Sequence, residues 1–376
     1  MMKNQTWIEV SLLEHWGPRP HGIPRVTQNI FLQSLKRGDV RYFYYHRSSE
    51  SFISTDDVEY FKRLASGDES FDANLCPDGR PLSSQIDDGD RLFFSEVGWD
   101  HGPYYGCMVD LRRQHPNAVF EYLVHDLIPI KSPMFFEQEF GGRAADFLKL
   151  LPTVVDRYIC VSDSTARDVR SILAPHAEIV VMKSGNDMGK TGVDPGVDRL
   201  YVLNVGTIEI RKNHHLLYYV WRKLAAELGA RCPKLVLVGR PGWLASDLVY
   251  LLSHDPLVRD LIEIRHGITD EQLVGLLKGS MFTVFPSHAE GWGLPASESF
   301  FYGKVCVTSN NTSLPEINPF PELMFDSYDA HQAYTVIRGL IDDPAKLKAY
   351  EAQIPDRFVR QTWGKSFDEL MRLVEA

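Results

Sequence analysis

The sequence predicts an α/β protein made of two doubly wound, Rossmann-like halves. Short apolar runs rich in β-branched and aromatic residues alternate with helix-length amphipathic stretches, the pattern of a parallel sheet with crossover helices. The chain has 376 residues, beyond the size at which a single core keeps growing, so two cores of roughly 150 to 200 residues are expected. The alternation is interrupted by Ser184-Gly-Asn-Asp-Met-Gly-Lys-Thr-Gly-Val-Asp-Pro-Gly-Val-Asp198, which is dense in glycine, aspartate and proline and has no hydrophobic period. It reads as a linker. The domains are accordingly placed at 1–185 and 199–353, with 186–198 between them and a C-terminal helix at 354–376.

In the first half the strand candidates are 7–13, 40–45, 91–95, 119–124, 158–161 and 179–182, and helical periodicity is strongest in 24–36, 133–150 and 164–173. In the second half, strands are expected at 200–205, 234–238, 262–265, 282–285 and 305–308, with helices at 213–228, 270–277, 295–302 and 330–341. The last segment, 354–376, reads as one helix; docking on the first half is an expectation that its sequence does not itself carry. Doubly wound sheets bind ligands beyond the carboxyl ends of their strands, so the space between two such halves is where a site is expected.

Composition removes several function classes. With 44% apolar and 24% charged residues the chain is folded rather than disordered. A net charge of -10 provides no overall positive field for nucleic acid. The five cysteines, Cys76, Cys107, Cys160, Cys232 and Cys306, are odd in number, scattered and without a C-x-x-C pair. They read as reduced thiols of a cytoplasmic protein, Cys160 and Cys306 as buried apolar residues. The opening Met-Met-Lys-Asn-Gln-Thr-Trp lacks an apolar signal core, and no run of 18 uncharged apolar residues occurs. The expectation is a protein neither exported nor membrane-spanning.

The chemistry concentrates at Phe285-Pro-Ser-His-Ala-Glu290-Gly-Trp-Gly-Leu-Pro-Ala-Ser-Glu298. A strand runs into a glycine-containing loop and then into a helix opened by Pro295. Gly291 and Gly293 let backbone amides approach a ligand, with Trp292 and Leu294 beside them, and the helix dipole favours an anion there. Glu290 and Glu298, the latter expected on the first helical turn, would place two carboxylates around sugar or ribose hydroxyls. An ordinary strand-to-helix turn would carry the same glycines. A glycosidase would also use two carboxylates, but the anion-binding loop argues against it.

A second constellation is Asn204-Val-Gly206-Thr-Ile-Glu-Ile-Arg211-Lys212-Asn-His-His215. Arg211 and Lys212 stand at a helix start, where the dipole disfavours cations. There they would neutralise a diphosphate leaving group and stabilise developing charge without a metal ion; a pair of solvated charges at a helix start is the alternative. Arg240, after the strand 234–238, is a third candidate cation. In the first half, His125-Asp126 follows an apolar strand, and His21-Gly22-Ile-Pro-Arg25 leads into a helix, with Gly22 able to bring backbone close to a ligand. A core histidine and a plain βα turn are the alternatives at these two positions. His214 and His215 are adjacent and diverge on a helix, so no metal site is expected.

These residues resemble the GT-B fold retaining glycosyltransferases of family 4. The E-x7-E motif of that family sits in F-P-S-x-x-E-G-F-G-L-P-x-x-E-x-x-x-x-G-x-P-V, which 285–305 follows with both glutamates in place. Thr308-Ser-Asn-Asn-Thr-Ser-Leu-Pro-Glu316 is similar to its S-x-x-S-S-L-P-E, and Gly206-Thr-Ile-Glu-Ile-Arg211-Lys212-Asn213 to its G-T-L-E-P-R-K-N. Gly22-Ile-Pro-Arg25, His125-Asp-Leu-Ile-Pro129 and Val161-Ser-Asp-Ser-Thr165 resemble its G-I-x-R, H-D-x-x-P and V-S-x-x-T in the same order. Trp292 replaces the usual phenylalanine, and Lys304 the usual threonine or proline.

The resemblance implies a hexosyltransferase with a first, acceptor-binding domain and a second, nucleotide-sugar-binding domain. Glu290 would contact the donor sugar, Glu298 the ribose, and Arg211 and Lys212 the diphosphate. His125 would lie by the reacting sugar and Gly22 on the loop facing it. Transfer would retain configuration through front-face attack, with no metal or other cofactor. The G-T-x-E-x-R-K-N subgroup looks most like bacterial mannosyltransferases of surface polysaccharide and lipopolysaccharide assembly, which suggests GDP-mannose as donor. A saccharide or lipid-linked saccharide would be the acceptor. Peripheral association with the inner membrane face fits such an acceptor, although no basic amphipathic helix marks it. A GT-B epimerase or phosphorylase, or a catalytically silent sugar-nucleotide binding protein, would use the same domains.

Overall fold

The computed structural model describes residues 4–15, 22–66, 77, 79–174, 176–189, 191–193 and 196–375. His21 and Cys76 fall outside the described residues. The chain forms two compact units, one of Met1–Pro133, Gln138–Gly185 and Thr362–Ala376, the other of Met134–Glu137 and Asn186–Gln361.

The first unit contains strands β1 (Thr6–Glu9), β2 (Val40–His46), β3 (Ser51–Thr55), β4 (Arg80–Pro81), β5 (Arg91–Phe94), β6 (Val119–Val124), β7 (Arg157–Cys160) and β8 (Glu178–Val181). They form one sheet in the order β4-β3-β2-β1-β5-β6-β7-β8. It is parallel from β2 to β8, with β3 and β4 added antiparallel at one edge. Strand order reverses between β1 and β5. On one face Phe43, Phe52, Phe94 and Tyr104 pack edge to face, the geometry that aligns ring edges with ring faces.

In the second unit, β9 (Tyr201–Val205), β10 (Lys234–Val238), β11 (Ile262–Arg265), β12 (Thr283–Phe285), β13 (Cys306–Ser309) and β14 (Met324–Phe325) form a wholly parallel sheet. Its order is β11-β10-β9-β12-β13-β14, the doubly wound arrangement in which a ligand crevice opens beside the first strand. Strands such as β10, Lys-Leu-Val-Leu-Val, are apolar on both faces because helices cover both. The helix His214–Leu228 buries Leu217, Trp221 and Leu224 along one stripe, the spacing of a helical face. At the reversal, the Asn204 side-chain amide donates to the Val284 carbonyl at 2.9 Å.

Several boundaries differ from the sequence-based expectation. The strand expected at 7–13 ends at Glu9 and a short helix, Leu12–His15, follows; each is four residues long, and so short a run does not reveal its period. The helix expected at 133–150 begins only at Gln138. The antiparallel edge strands β3 and β4, the helices Val58–Ser66, Tyr104–Gln114 and Ser246–His254, and the two-residue β14 were not anticipated. Within the linker stretch, the Met188 amide donates to the Tyr302 hydroxyl at 2.8 Å and the Asn186 amide to the Gln361 carbonyl at 3.0 Å. These residues lie along the second unit instead of forming a free tether. Cys160 and Cys306 are buried in strands, as expected.

The segment 354–376 is not one helix. The helix Pro344–Arg357 ends as Phe358 turns extended, and a new helix, Trp363–Glu375, starts where the Lys365 amide donates to the Thr362 hydroxyl at 3.3 Å. A side-chain acceptor at that position satisfies an otherwise orphaned amide. Trp363, Phe367, Leu370, Met371 and Val374 are buried, and the helix is tied to the first unit by Ser366 to the Lys183 carbonyl (2.7 Å) and Arg157 to the Leu373 carbonyl (2.5 Å). Phe367→Ala is expected to weaken the first unit by about 3–5 kcal/mol. Hydrogen exchange should show faster opening there and no change in the second unit; loosening confined to the second unit would contradict this placement.

Candidate functional site

At the strand-order reversal of the second unit, the segments after β9 and β12 clasp each other. The Arg211 carbonyl accepts from the His288 amide at 2.8 Å, and the Arg211 guanidinium returns a bond to the Ala289 carbonyl at 2.8 Å. Asn213 sits at φ 57° at the head of the helix His214–Leu228 and donates to the carbonyls of Pro286 (3.2 Å) and Ser327 (2.8 Å). Asparagine tolerates that left-handed backbone better than most residues.

Three candidates from the sequence meet here. Lys212 Nζ lies 2.6 Å from Glu290 Oε1, and Arg211 Nη1 lies 3.1 Å from Glu290 Oε2. Arg211 Nη2 also lies 2.6 Å from Glu209 Oε1, and Lys212 Nζ stands 5.0 Å from the centre of the Phe285 ring. Glu209 and Glu290 are both buried. Burial works to raise the Glu290 carboxyl, but Lys212 and Arg211 outweigh it and hold the group below its ordinary value. Glu209 goes the other way, since burial lifts it despite Arg211 and Lys212. The result is two cations and two carboxylates packed at the carboxyl ends of β9 and β12, where charge pairs interact strongly.

The loop that presents Glu290 is braced from the segment after β13. The Glu290 amide donates to the Thr312 hydroxyl at 2.9 Å, and the Ser313 hydroxyl donates to the Glu290 and Trp292 carbonyls at 3.1 and 2.7 Å. Gly293 takes φ 106° at the start of the helix Leu294–Phe301, a conformation that side chains strongly resist. Gly291 and Trp292 are buried and Leu294 half-buried; the Trp292 indole N–H is buried without a hydrogen-bond partner. Glu298 is buried too. Because the helix opens at Leu294, Glu298 is its fifth residue and stands on the second turn, not on the first as expected. Complementing the helix dipole is therefore not its role. Gly206 follows β9 directly, and the Arg240 carbonyl accepts from the Ile208 amide at 2.9 Å while the Arg240 side chain is exposed.

Sequence reasoning missed Glu209, Asn213, Thr312 and Ser313. Each was present inside a recognised motif, but its role is to orient another group, and only geometry reveals that.

In the first unit, His125 follows β6 and lines a small crevice of about 10 Å³ with Ile23, Trp99 and Tyr122. Burial drives the imidazole down to about 3, so it is neutral, and its Nε2 has no hydrogen-bond partner. Gly22 precedes the helix Ile23–Ser34 at φ 62°. A buried carboxylate pair, unforeseen from sequence, occupies the reversal between β1 and β5. Glu9 accepts from the Ser11 hydroxyl (2.7 Å), the Tyr104 hydroxyl (2.8 Å) and the amides of Ser95 (3.0 Å) and Glu96 (3.1 Å). Glu96 accepts from the Val97 amide at 2.9 Å and lies 3.9 Å from His101.

Among the described residues, no three His, Cys, Asp or Glu side chains group to hold a metal ion. His214 is buried and His215 turns toward Asp247 at 4.0 Å. No helix among the described residues is long and apolar enough to cross a membrane.

A parallel sheet ordered around β9, with a paired cation cluster and a glycine-started helix at its reversal, defines the class: a doubly wound, Rossmann-like unit. Residues 193–357 match the family glycosyl transferases group 1, and this part of the chain is a group 1 glycosyl transferase domain. The chain is similar to the serotype-specific mannosyltransferase WbdA of Escherichia coli, at 30% identity over 316 residues, covering 78% of this chain and 36% of that protein. It is also 35% identical over 145 residues to the O-antigen chain mannosyltransferase B of Escherichia coli, covering 38% and 37%. It spans little more than a third of these relatives' length. Among solved structures, sucrose-phosphate synthase from Thermosynechococcus elongatus aligns with a TM-score of 0.71 at 17% identity, over 99% of this chain and 98% of that one. HepE of Anabaena, solved with UDP and glucose, aligns at 0.69 and 13% identity over 99% and 100%. The fold is that of the GT-B glycosyltransferases.

Burial pushes Glu9 up to about 7 and Glu96 to about 8. Folded-state values above the ordinary carboxylate value of about 4.3 mean that the fold favours the protonated forms. Their stabilisation is thus complete below that value and is lost as pH rises through 7 to 8. The first unit should melt at lower temperature at pH 8 than at pH 5, and Glu96→Gln, neutral throughout, should flatten the slope. A wild-type midpoint that rises over this range would contradict the shift.

Proposed function

We propose that this chain transfers a sugar from a nucleoside diphosphate sugar to a hydroxyl of a saccharide or lipid-linked saccharide, with mannose from GDP-mannose as the donor. The observation that carries the reading is the meeting of Arg211, Lys212 and Glu290 at the strand-order reversal of a group 1 glycosyl transferase domain. The mannosyltransferase names of its relatives favour mannose, and their O-antigen and serotype associations favour polysaccharide assembly.

The donor diphosphate sits against Arg211 and Lys212, and Glu290 accepts hydrogen bonds from hydroxyls of the transferred sugar. Glu298 holds the ribose. As the bond from the anomeric carbon to the phosphate oxygen breaks, negative charge grows on the leaving diphosphate, where the two fixed cations stabilise it. The acceptor oxygen bonds to the same face of the anomeric carbon, and its proton passes to the departing phosphate oxygen. Configuration is retained, and no side-chain base is needed. Two side-chain cations do the work a metal ion does elsewhere, so turnover persists in chelator.

The test is nucleotide release from GDP-mannose, GDP-fucose and UDP-sugars, with and without saccharide acceptors, in the presence of chelator. Consumption of one donor, dependent on acceptor, is expected; no donor consumed or bound contradicts the reading, and loss of turnover in chelator contradicts its metal independence. Lys212→Ala should lower turnover by about 10²-fold or more through lost leaving-group stabilisation. Unchanged turnover would remove Lys212 from that role.

A further inference from the structure

The two cations assigned to the diphosphate are already engaged. Glu290 spans both, with one oxygen 2.6 Å from Lys212 and the other 3.1 Å from Arg211, so it occupies them as an internal anion. All three side chains are largely buried, at 8% exposure for Glu290, 13% for Lys212 and 15% for Arg211. A diphosphate that takes these cations weakens Glu290's pairing and leaves a buried carboxylate short of partners. Depriving a buried charge of its partner is costly. An intact nucleotide sugar meets that cost, because its sugar hydroxyls donate to the carboxylate as the phosphates claim the cations. A bare nucleoside diphosphate has no such donors.

We propose that Glu290 is a specificity-determining residue that selects intact nucleotide sugar over bare nucleoside diphosphate by competing with the diphosphate for Arg211 and Lys212. The inference rests on the donor-site reading above. Its consequence is directional. After the sugar leaves, Glu290 returns to the cations and helps expel the product. Glu209 is placed differently: its ion pair is with Arg211, at 2.6 Å, and among the described residues it does not bridge the two cations as Glu290 does. The bound sugar and bound diphosphate also become mutually favourable, and by linkage each raises the affinity of the other equally.

The experiment is calorimetric titration of the whole protein with inorganic pyrophosphate, GDP and GDP-mannose, for the wild type, Glu290→Gln and Glu290→Asp, each with its unfolding transition recorded. Glu290→Gln should bind pyrophosphate and GDP about tenfold or more tightly than the wild type, since the competing charge is gone, yet bind GDP-mannose no better. Glu290→Asp, which keeps the charge, should keep the wild type's weak GDP binding. Unchanged or weaker GDP and pyrophosphate binding by Glu290→Gln overturns the proposal, as does Glu290→Asp behaving like Glu290→Gln. Should Glu290→Gln not fold, the wild type alone decides: added free mannose should tighten GDP binding, and no tightening overturns the proposal. If the wild type binds neither GDP-mannose nor any UDP-sugar, the donor-site reading itself fails, which is a separate result.

Discussion

The ion pairs from Glu290 to Lys212 and Arg211 are the constraint on which the rest of the second unit depends. Burying charge is expensive unless it is paired and hydrogen-bonded, and the surrounding structure supplies that pairing with little slack. Asn213 binds the helix start to the loop after β12, Arg211 exchanges bonds with the His288 amide and the Ala289 carbonyl of that loop, and Thr312 and Ser313 fix it from the far side. Each of these bonds ends on backbone, so the charged side chains inherit the rigidity of the sheet. A site held this way needs little reorganisation when charge develops on a bound group.

The first unit answers a similar geometric problem differently. Its sheet also reverses order, between β1 and β5, but there the buried carboxylates Glu9 and Glu96 are hydrogen-bonded mainly by hydroxyls and amides. Their carboxyls are raised, whereas that of Glu290 is lowered. The same residue type at equivalent places in two sheets is thus shifted toward its protonated form in one unit and held charged by cations in the other.

The sheet architecture was legible from sequence because long parallel strands are apolar on both faces and helices between them keep their period. Every strand expected in the second half is present, and Arg211, Lys212 and Glu290 were singled out before their contact was visible. What escaped were features whose signal is shared with something else. The run 7–13 is mostly apolar whether strand or helix, and the edge strands β3 and β4, five and two residues long, are too short to show a period. The break at 358–362 depends on one side-chain cap at Thr362. Glu298 was read one turn too early because its helix starts one residue before Pro295. Glu209 lay within a recognised motif, yet only its distance to Arg211 reveals what it does.

The claim central to all of this is that the loops after β9 and β12 together hold a nucleotide sugar. Hydrogen exchange read by mass spectrometry, with and without saturating GDP-mannose or UDP-sugar, addresses it directly. Amides in 206–212 and 287–298 should be protected together, because both loops close on one ligand. Protection of neither loop by any of these donors, or of one without the other, would contradict the claim.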